Sequence, residues 1–147
     1  MRNTLFTSLL SAAALTMSMM SVAQAAAVET PPGDLGAVMG SMSQELKAIG
    51  LQAADATKNV DSATKSAELA NTITWMFSYL PDLINGEVDV AKKEQLKHQY
   101  FSAGADLYAT VIKLENAFTA NDNTSAGQII KTDLKNKMNA GHAAFNP

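Results

Sequence analysis

The chain has 147 residues, a formal charge of −3 and no cysteine. That length supports one domain, and the missing thiols exclude disulfides, thiolate catalysis, cysteinyl metal sites and C-x-x-C-H haem attachment. Eleven Lys and Arg against 14 Asp and Glu leave no concentrated basic face, which argues against nucleic acid as a partner.

Met1-Arg2-Asn3-Thr4 precede a mainly apolar stretch from Leu5 to about Met20, followed by Ala23-Gln24-Ala25. A short basic start, an apolar run and a small-x-small site predict a secretory signal peptide over residues 1–25, cleaved after Ala25. The alternative, a membrane anchor, needs about twenty apolar residues, and Thr7, Ser8, Ser11, Thr16 and Ser18 interrupt this run. Cleavage leaves 147 − 25 = 122 residues with 10 Lys, no Arg and 14 acids, a charge of −4. An acidic, cysteine-free exported domain suits a bacterial periplasm, with no membrane insertion after cleavage.

Residues 26–33, with Pro31, Pro32 and Gly33, read as a flexible leader to a domain over residues 34–147. Asp34 fits an N-cap, and Leu35, Val38, Met39, Met42, Leu46, Ile49 and Ala53 recur at helical steps. A second helix is expected from about Asp61 to Leu80, with Ala63, Ala67, Ala70, Ile73, Phe77 and Leu80 on one stripe and Pro81 stopping it. Residues 81–86 read as a connection, with Asn85-Gly86 as the turn signal. A third helix runs from about Asp89 to Ala120 on the seam Tyr100, Ala103, Leu107, Val111, Leu114 and Phe118. Ser125 and Gln128 form a capping box opening a fourth helix with the stripe Gly127, Ile130, Leu134, Met138, Gly141 and Phe145. No segment alternates like a strand. The fold class is therefore all-α, an antiparallel up-down-up-down four-helix bundle.

In that topology the start of the first helix lies beside the end of the fourth, making Met39 and His142 neighbours. The same end receives Met76, Phe77 and Leu80 from the second helix and Leu96, Tyr100 and Phe101 from the third. Thioether and imidazole are axial ligands of haem iron, and a flat macrocycle needs apolar walls. By themselves, one methionine and one histidine are a weak signal, since a methionine on a helix stripe is more often core filling and a lone histidine more often exposed or simply satisfied.

The two ends of the domain resemble the cytochrome b562 family, periplasmic four-helix bundles with a non-covalent b-type haem. Asp34-Leu35-Gly36-Ala37-Val38-Met39 through Glu45-Leu46-Lys47-Ala48-Ile49 is similar to the family's first helix, and Leu134-Lys135 through Asn139-Ala140-Gly141-His142 to its last. The resemblance implies Met39 and His142 as iron ligands, with Met42, Leu46, Phe101 and Met138 lining the pocket and Phe101 opposite the ligands. Met138 stands where the family usually has a basic residue, and Gly141 where it has a larger one. With no arginine after cleavage, Lys135, Lys137 or solvent meets the propionates.

Gly40 and Gly141 adjoin the two ligands. Either a flat group approaches the backbone there, or both glycines lie near frayed ends. His98 reads as surface, Trp75 and Tyr79 as packing against the first helix, and Asp82 with Glu87 as carboxylates without a catalytic setting. The expected function is electron transfer by one non-covalent haem b, with a partner redox protein and no enzymatic activity. The alternatives are a haem-less helical binding or stress-related protein, and a copper site using Met39, Met42, Met138 and His142.

Overall fold

The computed structural model describes residues 32–145; the expected signal peptide and leader residues 26–31 lie outside the described residues. Among the described residues every regular element is a helix and there is no strand. No helix there is long and apolar enough to cross a membrane.

Helix α1, Leu35–Gln52, begins where the sequence places it, because extended Asp34 accepts a 2.7 Å hydrogen bond from the Ala37 amide. It buries Val38, Met42 and Ile49. A 3₁₀ turn, Ala56–Lys58, leads into α2, Asn59–Met76. The helix stops at Met76, not Leu80. The amides of Phe77, Ser78 and Tyr79 bond three residues back, to Thr74, Trp75 and Met76, which tightens the chain out of α geometry before Pro81.

The buried face of α2 also differs from the expected stripe. It consists of Asn59, Ser62, Ser66, Leu69, Ala70, Thr72, Ile73 and Met76, while Phe77 is exposed and Ala63, Ala67 and Leu80 are half-buried. The reason is packing on two sides, since α2 lies against both α1 and α4. Small hydroxyl side chains let those neighbours approach, and Ser66 and Thr72 return their hydroxyl protons to the carbonyls of Ser62 and Glu68. Thr72 also bonds Glu45 of α1 at 2.8 Å. Apolarity alone misses such a face.

Residues 81–86 are more than a connection. Asp82–Asn85 form the one-turn helix α3, anchored by fully buried Ile84. Helix α4, Val90–Thr119, opens on Asp89, whose carboxylate accepts from the Lys92 amide. Its buried face contains the expected seam except Ala103, and adds Gly104, Thr110 and Ala117. At Gly104 the end of α2 crowds α4: a Cβ there would stand 2.6 Å from Cε1 of Phe77 and 3.4 Å from Cε of Met76.

The closing segment runs as α5, Asn123–Gln128, a π turn, Ile129–Leu134, and α6, Lys135–Phe145. Its cap is Asp122, not Ser125: the Asp122 carboxylate accepts from both the amide and hydroxyl of Ser125, and these bonds lower its pKa. The preceding Asn121 takes the left-handed backbone conformation, φ 57°, which asparagine tolerates.

Four side-chain hydrogen bonds hold the loop end together. The buried Asn59 amide donates to Asn121 and Asn123, and Asn123 donates back to Asn59 and to the Ala53 carbonyl, all within 3.0 Å. The ends of α1 and α4 and the starts of α2 and α5 are thereby tied into one knot. Asn123→Ala leaves the Ala53 carbonyl and half of the Asn59 amide unpaired, and chemical denaturation should register a loss of about 1–3 kcal/mol. The glycines give a second test. Gly40→Ala meets nothing within 4 Å and should stabilise by about 0.5–1 kcal/mol. Gly104→Ala gains the same propensity but must push the Phe77 ring aside, so it should fall below Gly40→Ala by about 1–3 kcal/mol in urea.

Candidate functional site

A cavity of about 1080 Å³ lies between the start of α1, the chain from the end of α2 through α3, the middle of α4 and the end of α6. It exists because the helices diverge. At the knotted end α1 approaches the closing segment, with the Cβ position of Gly50 4.0 Å from Cγ2 of Ile130. Towards the other end α1 packs along α2, and α6 along α4, but α1 and α6 do not pack closely together. Pockets for cofactor-sized ligands span roughly 300–1,000 Å³, so the space suffices for a large flat molecule.

The wall carries Met39 and Met42 from α1, Met76 from α2, Tyr100, Gly104 and Leu107 from α4, and Met138, His142 and Phe145 from α6. Met42 and Met76 are buried, Met39 and Met138 half-buried, and His142 exposed at the rim. Of the six residues singled out from sequence, Met39, Met42, Met138 and His142 share this wall. Leu46 and Phe101 do not. Leu46, one turn beyond Met42 on α1, is half-buried and packs against the core. Phe101 is 38% exposed and tilts against Phe77 outside the cavity, because Tyr100, one position earlier on α4, takes the inward direction.

Tyr100 is 2% exposed and donates its hydroxyl to the Met76 carbonyl; burial pushes its phenol up to about 12, so it stays protonated and presents only a neutral ring. Phe145 meets that ring edge-on at 5.3 Å and fixes the end of α6 against α4. Tyr79, expected only to pack against the first helix, belongs to the wall, its hydroxyl donating to the Pro32 carbonyl, while Trp75 is half-buried against the core. His98 is exposed on α4. The contribution of Pro81, Asp82, Leu83 and Asn85 is missed by sequence reasoning, since nothing in a turn signal tells where the turn folds. Lys137 lies at the edge, its ammonium 3.9 Å from Asp106. A Cβ at Gly40 or Gly141 would meet nothing within 4 Å.

The π turn decides which face α6 shows the cavity. Ala126 and His142 are 16 residues apart, and at about 100° per residue an unbroken α-helix would set them about 160° apart. A π turn takes up about one extra residue, which at about 100° per residue brings that angle to about 60°. By the same arithmetic Met138 falls about 20° from Ala126, and Phe145 returns to its line. Buried Ala126 and Leu134 and the cavity groups Met138, His142 and Phe145 thus form one stripe. The half-buried pair Ile129-Ile130, β-branched and stiff at χ1, lies within the turn and weakens its preference for regular α geometry.

No protein-family model, curated protein or solved structure matches the chain. Among the described residues no cluster of three or more His, Asp or Glu offers a metal site. The donors at the cavity are thioethers and one imidazole.

If the π turn absorbs a surplus residue, deleting Lys131 should give a continuous α-helix while leaving the NMR shifts of the Met138 methyl and His142 ring close to wild type. Inserting one alanine after Lys131 should displace both sets. Equal responses to deletion and insertion would refute the phasing argument.

Proposed function

We propose that this chain is an exported, antiparallel four-helix-bundle electron-transfer protein of the cytochrome b562 type, acting in the periplasm with one non-covalent haem b and a separate redox partner. The observation that carries the reading is that Met39, near the start of α1, and His142, near the end of α6, line one cavity with apolar and aromatic walls. Opposed helix directions are supported by the cross-links: Gln52 bonds Asp61 while Glu45 bonds Thr72, and Asn59 bonds Asn121 while Met76 bonds Tyr100.

The residues fit the group. A thioether and an imidazole reach the wall from two different helices, and Met42, Leu107, Phe145 and the neutral ring of Tyr100 supply apolar surface for a macrocycle. The open space beside Gly141 leaves the backbone next to the ligand histidine accessible to a flat molecule. Lys137 at the edge offers an ammonium to a carboxylate, in competition with Asp106. When bound, haem supplies one-electron exchange at its iron.

Met39 and His142 would hold the iron, while the apolar inner wall would exclude water from it. Two protein ligands leave no free position for oxygen or substrate, which favours electron transfer over catalysis. A neutral sulfur favours the reduced metal and raises the potential. Leu46 and Phe101 stand behind this wall as packing.

Protein reconstituted with haem and reduced with dithionite should give the sharp α and β bands of six-coordinate low-spin iron. Met39→Ala should turn the spectrum high-spin or mixed, and His142→Ala should lower haem affinity at least tenfold. A featureless spectrum after haem addition would sink the reading, and an unchanged Met39→Ala spectrum would move the sulfur ligand to Met42.

A further inference from the structure

Every methionine among the described residues, Met39, Met42, Met76 and Met138, lines the one large cavity, and so does one of the two histidines. The other apolar side chains of the core are Val, Ile, Leu, Ala and aromatic residues. Core filling explains a flexible thioether at an irregular gap, but it gives no reason for all four to gather where the packing is open while the tight half of the molecule has none.

Their spacing adds geometry. Met39 and Met42 stand three apart on α1, and Met138 and His142 four apart on α6, so each pair shares a helix face with Cβ atoms about 5–6 Å from each other. Each helix presents a two-donor edge to the same cavity. These donors are neutral and soft, the class that selects Cu(I) over zinc, calcium or magnesium. The two carboxylates that line the cavity are both exposed: Asp34 is committed to the Ala37 amide, and Asp82 lies on α3. Lys137 is the nearby cation, and Asp106, on its α4 side, partly neutralises it. Buried Met42 and Met76 shield the interior from water and oxidants.

We propose that the haem-free cavity binds one soft monovalent cation, Cu(I), through the thioethers of Met39, Met42 and Met138 and the imidazole of His142, with Met76 as the inner neighbour. Binding of the ion changes no oxidation state and moves no proton from a thioether. The corollary that ion and haem exclude each other, by sharing Met39 and His142, rests on the reading above. The site itself does not.

The test uses the haem-free full-length protein, ¹³C-labelled at the methionine methyls, titrated with Ag(I) as a redox-inert probe and then anaerobically with Cu(I) against bicinchoninate. The expected result is one ion per chain, large shifts of the Met39, Met42 and Met138 methyls and the His142 ring, and a smaller shift of Met76. A Met42→Leu, Met138→Leu double variant should retain its helical circular dichroism and bind Cu(I) at least tenfold more weakly. Silver that moves no methionine methyl, zinc that binds as tightly as silver, or a double variant with unchanged affinity would each overturn the proposal. Should that variant unfold, His142→Ala provides the same affinity comparison. Because no haem is present, failure of haem reconstitution leaves this result standing, and failure here leaves the haem spectrum to be judged by itself.

Discussion

One surplus residue in the closing helix governs the working end of this protein. An α-helix long enough to span the structure drifts in phase, and a row of side chains at four-residue steps soon leaves the core. By widening one turn at Ile129–Leu134, the chain keeps buried Ala126 and Leu134 in line with Met138, His142 and Phe145. Without that turn either the upper core or the cavity would lose its side chains. π turns are rare and weak as isolated structure, so this one is sustained by the packing on both sides of it.

The two ends of the molecule then do different work. At one end amide hydrogen bonds among Asn59, Asn121 and Asn123 tie three chain segments together, directional links that fix how the helices leave the knot. At the other end α1 and α6 separate, and the connection through α3 folds in to close the side of the gap. A cavity of this size forgoes dispersion contacts that a filled core would make. The knot, the close α2 to α4 approach at Gly104 and the edge-on contact of Phe145 with Tyr100 offset that loss without closing the space.

The donors lining the gap set its chemistry. Thioethers carry no charge and cost little to bury, so Met42 and Met76 remain within the apolar wall with or without a ligand. His142 lies at the exposed rim, where its imidazole keeps its hydration. Tyr100, held protonated by burial, adds ring surface and no competing anion. The same wall therefore suits the iron of a flat cofactor and a bare soft cation.

Much of this was written in the chain itself. Composition excluded thiol chemistry, helical spacing with Asp34 as cap located the start of α1, and spacing alone placed the start of α4 to within a residue, where the structure makes Asp89 the cap. The topology drawn from those helices made Met39 and His142 neighbours and the resemblance added Met42 and Met138, and all four line one cavity. Other features only the tertiary structure decided. The face of α2 turned on Ser62 and Ser66, buried because two neighbours press on that helix and polar in a way no hydropathy pattern flags. Phe101, set opposite the ligands by the resemblance, turned outward, whereas Tyr100, already on the seam read from the spacing, turned inward; which of two adjacent aromatic residues reaches the cavity depends on how α4 rotates against its partners. The π turn could not be read from Ile129-Ile130 alone: local sequence makes regular α geometry less favourable there, but only the need to satisfy core and cavity together makes the chain leave it.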